Sequence, residues 1–458
     1  MPALRAFRLA ALVLIALALA PGAAEAQQTP LQLDRAQSLH LGRALLAEGR
    51  PAPARAIAEA LLGGDARDAE AGVLLAAALN QQGRHAQARH TALRAHLRGQ
   101  TDAARFEAAM LAGRAEFHRG AHGRAQFWLR RAAHVAPDQA TRALAERNFH
   151  QVRRLNPLQL RFNLGLARSS NINDGTSAEE ITFLGLPFRV QGASRALSGT
   201  ELSTDLALRY RIAQAEGRET ALTLHAATRS YRLSRSAREQ APEARARDFA
   251  FQQLEIGALH RIMAQDSRRF YELAGAVGRQ WYGGAPLGDH LRLSLSQTTG
   301  LSEATQMRLT LSGQRQRRLD SAARSSTRLG IGGALHHRLA GGDHVALRLG
   351  VQRTRARSPH VQNTALQAQV SYTLAEPVMG MRLSAFADLA ERRFPVAGVQ
   401  PEGRRDLQGR VGLTAMVERI DYMGFSPTVQ VQYARTRSTM AIHQRRSFDV
   451  FLGIGSRF

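Results

Sequence analysis

From Leu158 onward the apolar residues recur at every second position. Leu158, Leu160, Phe162, Leu164 and Leu166 alternate with Gln159, Arg161, Asn163 and Gly165. A period of two is that of a strand whose two faces meet different surroundings. The pattern returns in Leu202 to Ile212, Leu222 to Tyr231, Phe251 to Ile262, Phe270 to Trp281, Leu291 to Leu295, Met307 to Gly313, Arg328 to Leu335 and Val345 to Val351. It continues through Leu366 to Leu374, Met381 to Leu389, Leu407 to Val417, Val429 to Tyr433 and Phe448 to Phe458. In the last of these Phe448, Val450, Leu452 and Ile454 share one side, Asp449, Gly453 and Gly455 the other, and the sequence finishes on the aromatic Phe458. About fourteen such segments, an even set, predict a transmembrane antiparallel β-barrel over residues 156–458.

The connections argue the same way. Those after even-numbered strands are short, as in Ala213 to Glu219, Ala264 to Ser267 and Ala340 to Asp343. Those after odd-numbered strands tend to be longer and Arg-rich, as in Arg168 to Thr200, Leu233 to Asp248 and Ala390 to Arg405. Short turns on one rim and long loops on the other are the habit of outer-membrane barrels. A mean hydropathy of −0.28 fits a barrel, half of whose strand residues face a polar lumen, better than a bundle of membrane helices.

The N-terminus predicts export. Arg5 and Arg8 precede the apolar run Leu9 to Ala20, Pro21-Gly22 breaks it, and Ala24 and Ala26 offer the small residues read at a cleavage site. Residues 1–26 are therefore expected to be a signal peptide. No later run is long and apolar enough for a membrane helix, so a membrane-spanning form has to be a barrel.

Between these segments, residues 27–155 are Ala-rich with apolar residues three and four apart, as in Leu41, Leu45 and Leu46 or Val73, Leu74, Leu75 and Leu79, the spacing of helices. A Gly followed five positions later by an Ala occurs three times, as Gly49 and Ala54, Gly83 and Ala88, and Gly120 and Ala125. The first two copies stand 34 residues apart, the tetratricopeptide period. The Gly is expected to close one helix with a positive φ and the Ala to let the next pack closely. Pro137-Asp138 stands where a further helix would start. Phe106, Phe117, Phe127 and Trp128 are expected in the core of this array, whose concave face is a natural surface for a protein partner.

Composition excludes more than it assigns. The absence of cysteine removes disulfides, thiolate metal sites, cysteine nucleophiles and an N-terminal lipid anchor. The net charge of +25 is carried by arginine alone, without a single lysine, and is spread over both halves, which argues against nucleic acid as a partner. Arg235, Arg238, Arg245, Arg247, Arg317, Arg318, Arg355, Arg357, Arg392, Arg393, Arg404, Arg405, Arg445 and Arg446 fall in or beside the longer loops, and a basic outer rim suits phosphate-bearing outer-membrane lipid. No phosphate-binding loop, His-Glu-x-x-His or nucleophile elbow is present. His336 and His337, adjacent on one strand, point to opposite faces and are poorly placed to share an ion. No catalytic residue, metal or cofactor is expected, and no enzymatic activity.

The stretch Asn156-Pro157 through Gly165-Leu166-Ala167 to Ser170-Asn171-Ile172-Asn173 resembles the first barrel strand of the surface lipoprotein assembly modifier (Slam) family, with Leu158 where that family often has an aromatic residue. The resemblance extends to the order and size of the helical and barrel regions. It implies a two-domain α + β chain: a periplasmic tetratricopeptide-like domain before an outer-membrane barrel of type XI secretion. It also implies a client, a surface lipoprotein or haemophore, moved from periplasm to cell surface. Periplasmic chaperones and the barrel-assembly machinery are then expected partners, with Phe458 as the assembly signal. Asn171 and Asn173 are expected to hold the first exterior loop in a turn, since Asn tolerates positive φ and bonds local backbone. The competing reading is a porin or polysaccharide-export channel with a periplasmic repeat domain.

Overall fold

A computed structural model describes residues 33–183, 186–265, 268–395, 402–420, 422 and 425–456. The signal segment with Ala24 and Ala26, and the terminal Phe458, lie outside the described residues.

Among those residues seven helices precede the barrel: α1 (Arg35–Ala47), α2 (Pro51–Gly64), α3 (Ala69–Gln81), α4 (His85–Arg98), α5 (Asp102–His118), α6 (His122–His134) and α7 (Gln139–Leu155). Their starts are written in the sequence. Asp34 with Gln37, and Asp138 with Thr141, form reciprocal caps on α1 and α7. Asp68 and Thr101 cap α3 and α5, and Pro51 opens α2, where its missing N–H costs nothing.

Each of the three repeated glycines ends the first helix of a hairpin. Gly49, Gly83 and Gly120 adopt φ of 74°, 72° and 72°. The Gly49 N–H donates to Leu46 and that of Arg50 to Leu45, the two bonds of a left-handed helix stop, and the same pair recurs at Gly83 and Gly120. Ala54, Ala88 and Ala125, on the returning helices, are fully buried. Gly42 shows how tight the packing is, since a Cβ there would stand 2.4 Å from Leu74. The four aromatics divide: Phe106 is buried, Phe117 and Trp128 are partly buried against the core, but Phe127 is 49% exposed. It lies on the outward side of amphipathic α6, so periodicity alone misplaced it.

The barrel strands are β1 (Leu158–Ser169), β4 (Gly199–Ala215), β5 (Arg218–Leu233), β6 (Phe251–Met263), β7 (Arg269–Tyr282), β8 (Ala285–Gly300), β9 (Thr305–Arg318) and β10 (Ser326–Arg338). They continue with β11 (His344–Ala356), β12 (Asn363–Thr373), β13 (Met381–Phe394), β14 (Arg404–Val417), β15 (Phe425–Ser438) and β16 (Arg445–Ser456). The hairpin of β2 (Glu180–Phe183) and β3 (Leu186–Arg189) belongs to the first loop. The fourteen barrel strands pair antiparallel with their sequence neighbours, and β1 meets β16 to close the ring. Each alternating segment of the sequence falls on one of them.

The loop pattern needs correction. Residues 170–198 and 234–250 are long loops on one rim, but the next connection there is the tight turn Gly283-Gly284, whose φ values of 59° and 82° require glycine. On the opposite rim residues 374–380 and 418–424 are no shorter than loops 319–325 and 439–444. The segregation of loop length is thus carried mainly by the first two long loops.

Candidate functional site

The barrel wall sorts its side chains by alternation. Outward stand Leu160, Phe162, Ile256, Leu273, Val277, Leu293, Leu311, Leu329, Ile331, Leu349 and Leu413, each more than half exposed. Residues one position away turn inward, where they line cavities of about 690 Å³ and 720 Å³ on the two sides of the lumen. The first holds Arg348, Gln352, Gln369, Asp388, Arg392 and Arg410, with Gly330, Gly332 and Gly350 leaving the wall bare. The second holds Arg161, Arg209, His225, Glu255 and Arg292.

Carboxylates in the lumen are gathered by cations. Glu255, 4% exposed, has His290 Nε2 at 2.7 Å and accepts from Arg292 at 2.7 Å and from Gln253 at 2.8 Å. Gly278 makes this possible, because a Cβ there would lie 2.8 Å from both Glu255 and His290. His225 stands 2.6 Å from Asp205, and Glu272 accepts from Arg261 at 2.6 Å and Arg308 at 2.8 Å. Arg161, Arg328 and Arg392 form no ion pair among the described residues, so the lumen keeps an excess of positive charge.

The rim loops are folded onto one another. Asn171 accepts from the Gly175 N–H at 2.9 Å and donates to the carbonyls of Gly175 at 2.9 Å and Arg446 at 3.3 Å. Asn173 accepts from the Leu197 N–H at 2.8 Å and donates to the Ala193 and Arg195 carbonyls at 2.7 and 2.9 Å. The left-handed residue of this turn is not either asparagine but Asp174, φ 55°. The asparagines act through their side-chain amides, satisfying backbone across the loop. Ile172, between them, is buried with Leu197, Leu233, Ala237 and Ala241, the last two from helix α8 (Arg235–Gln240) and its end.

Thr176 donates to the Ala441 or Gln444 carbonyl, which ties residues 170–198 to the loop between β15 and β16. Asp174 pairs with Arg445 at 2.5 Å. Its side chain is 74% exposed to water, and Arg445 and Arg392 both favour its charged form.

At the other rim the array meets the barrel directly. The Arg211 guanidinium donates to the Arg154 and Leu155 carbonyls at 3.2 and 2.8 Å, capping the end of α7, while its backbone N–H bonds Pro157. The Arg130 guanidinium stacks 4.6 Å from Phe425, and His134 lies 5.2 Å from Tyr422. The last helical hairpin and α7 therefore seat on the turn beside β15 and on the start of β1.

Among the described residues the closing seam has the shortest paired run in the wall. β1 pairs with β4 along its whole length, from Leu158 opposite Tyr210 to Ser169 opposite Gly199. Against β16 the pairs among the described residues run from Gly165 to Ser169, with Gly453 to Asp449. β16 stays on β15 down to Ser456 opposite Phe425, so among the described residues β1 and β16 diverge toward the array. Gly165, Leu166 and Ala167 lie at the parting point, Ser170 and Ile172 just above it, and Asn156 bonds the Leu158 N–H at the foot of β1 beside Pro157. His337 stands 2.8 Å from Thr305. The signal for the seam was absent from the sequence, since strand periodicity carries no pairing register.

No family model and no curated protein matches the sequence. The helical half is similar to the type III secretion translocator chaperone SycD of Yersinia enterocolitica, at 14% identity over 26% of this chain and 83% of that chain, TM-score 0.24. The barrel half is similar to an outer membrane channel from Pseudomonas putida F1, at 9% identity over 64% of this chain and 95% of that chain, TM-score 0.32. It is also similar to a bacterial polysaccharide outer membrane secretin, at 8% identity over 65% and 98%, TM-score 0.33.

Proposed function

We propose that this chain is an outer-membrane translocon that passes a client protein, a surface lipoprotein or haemophore-like protein, from periplasm to cell surface, as the resemblance to the Slam family and type XI secretion implies. The observation that carries the reading is the attachment of the helical array beside the point where β1 and β16 part. A client held by the array meets, in one place, the barrel mouth and the seam with the shortest paired run among the described residues. Loops of the exterior-facing rim that fold onto one another are in keeping with a path that opens only for a client. The outward apolar wall supports a membrane location, and the array then lies in the periplasm.

No nucleotide is available on that side, so the step is driven by client folding outside, which prevents return. The role is not enzymatic. Chaperones that keep the client unfolded and the machinery that inserts barrels are the further partners of this reading. A second reading is favoured by the lumen-facing Arg161 and Arg392, which form no ion pair among the described residues: a porin or polysaccharide-export channel that draws anionic solute or polymer.

The test is co-expression with a neighbouring candidate lipoprotein or haemophore, followed by protease accessibility of that client on intact cells. Exposure that depends on this chain is the expected result. Equal exposure with and without it ends the translocon reading and leaves the anion channel.

A further inference from the structure

At the far end of β9 and β11 the outward wall changes from apolar Leu311 and Val351 to basic Arg315 and Arg355 within two rungs. Arg315 and Arg317 on β9 and Arg355 on β11 are exposed and share the outward face. Thr327 of β10 lies in register between Arg315 and Arg355. With Arg357 of the following loop, these residues line a cavity of about 910 Å³ that Leu319 and Ala322 of the β9–β10 loop also line. None of the four guanidinia forms an ion pair among the described residues. Some other rim arginines are held by carboxylates. Arg279 is held by Asp289 at 2.6 and 3.1 Å, and Arg393 and Arg405 share Glu391. Asp289 is in register with Arg317 but is committed to Arg279.

Two rungs below Thr327 stands Ile331, in register with Leu311 and Val351, exposed 58%, 54% and 45%. Four residues along a strand put this apolar stripe about 13 Å from the row of Arg315 and Arg355. A ligand that matches both features has an anionic head, with oxygens for several guanidinium forks, and hydrocarbon beneath it.

We propose that this cradle binds the phosphorylated headgroup of an outer-leaflet glycolipid bearing two phosphates. The proposal takes from the functional reading only that the barrel spans the outer membrane. Arg315 and Arg317 reach one phosphate from β9, Arg355 and Arg357 the other from β11, and Thr327 supplies a hydroxyl between them. The acyl chains run down the Leu311, Ile331 and Val351 stripe. Four unneutralised guanidinia on one concave surface are self-repelling without such a partner, and the bound lipid relieves this.

The full chain, purified in detergent micelles, is titrated with diphosphorylated lipid A, monophosphorylated lipid A and inorganic pyrophosphate, with binding read by native mass spectrometry. Diphosphorylated lipid is expected to bind about tenfold tighter than the monophosphorylated form, and the combined Arg315→Gln, Arg317→Gln, Arg355→Gln variant to lose about tenfold or more. An Arg435→Gln, Arg437→Gln variant, altered elsewhere on the outward rim, is expected to bind as the parent does. Gel mobility before and after heating reports whether each barrel is folded. If the triple variant fails to fold, Arg355→Lys serves, since it keeps charge but loses the fork and is expected to weaken binding severalfold. Unchanged binding in the folded variants overturns the proposal, and pyrophosphate binding as tightly as the lipid overturns it in favour of a free-anion site. None of these outcomes bears on client export, which is read on cells.

Discussion

The helical array and the barrel place the same kinds of residue on opposite sides. In the array Leu74 is 2% exposed, Ala54, Ala58 and Ala88 are sealed, and arginines converge from the surface on carboxylates within. In the barrel Leu293 and Leu329 are 53% and 63% exposed, while arginines and carboxylates share the interior. Burial follows the solvent each half is made for. The array hides hydrocarbon from water. The barrel presents it outward and keeps water inside, an arrangement that a wholly aqueous surrounding does not reward.

The comparison is most sharply tested at Glu116, 0% exposed, which receives Arg89 at 2.8 Å, Arg124 at 3.0 Å and Arg119 at 3.3 Å. Glu116→Ala leaves three cations facing one another around a buried gap. Breaking a buried pair costs about 3–5 kcal/mol, and the partial exposure of the arginines puts this case near the lower end. The helical circular dichroism signal is expected to melt at lower urea, with the heat-dependent gel mobility of the barrel unchanged. If both move together, the halves do not fold separately and the contrast between them loses its meaning.

Next in size is the outward wall. Leu293→Arg puts a charge in the middle of β8 on the face we assign to lipid, where the cost is about 2–4 kcal/mol, whereas Ser294→Arg, one residue on and lining the lumen, meets water. The first variant is expected to reduce the folded barrel recovered from membranes, and the second to leave it unchanged. Equal recovery of the two breaks the assignment of inside and outside.

The contrast itself was legible in the sequence because it is periodic. A period of two from Leu158 onward and the Gly49, Gly83 and Gly120 spacing before it are local patterns that the chain repeats. What escaped is what depends on partners distant in the chain. Nothing near Glu116 announces that arginines from α4 and α6 will meet it. The amide bonds of Asn173 reach Ala193, Arg195 and Leu197, so local turn preference named the residues but not how they act. The early parting of β1 from β16 is a matter of register, and alternation is the same in every register that keeps faces matched. The tight third loop alone had a readable signal, the Gly283-Gly284 pair between two alternating runs.

The smallest expected effect is electrostatic and again separates the halves. The Arg35 guanidinium, bonded to Asp68 at 2.7 and 2.8 Å, holds that carboxyl below its ordinary value, helped by the Ala71 and Glu70 N–H groups and opposed by burial. A carboxyl with a depressed folded pKa adds stability above its unfolded value, near pH 4, and loses it as the pH falls through the folded value. Arg35 is 54% exposed, so the pair contributes about half a kcal/mol. In parallel urea titrations at pH 6 and pH 3, the helical midpoint of the parent chain is expected to fall further than that of Arg35→Gln. That variant lacks the main cause of the depression but keeps the backbone donors, so it retains part of the pH dependence. A variant midpoint that falls as far as the parent's assigns the acid sensitivity of the array to other carboxylates and removes Arg35 from the account.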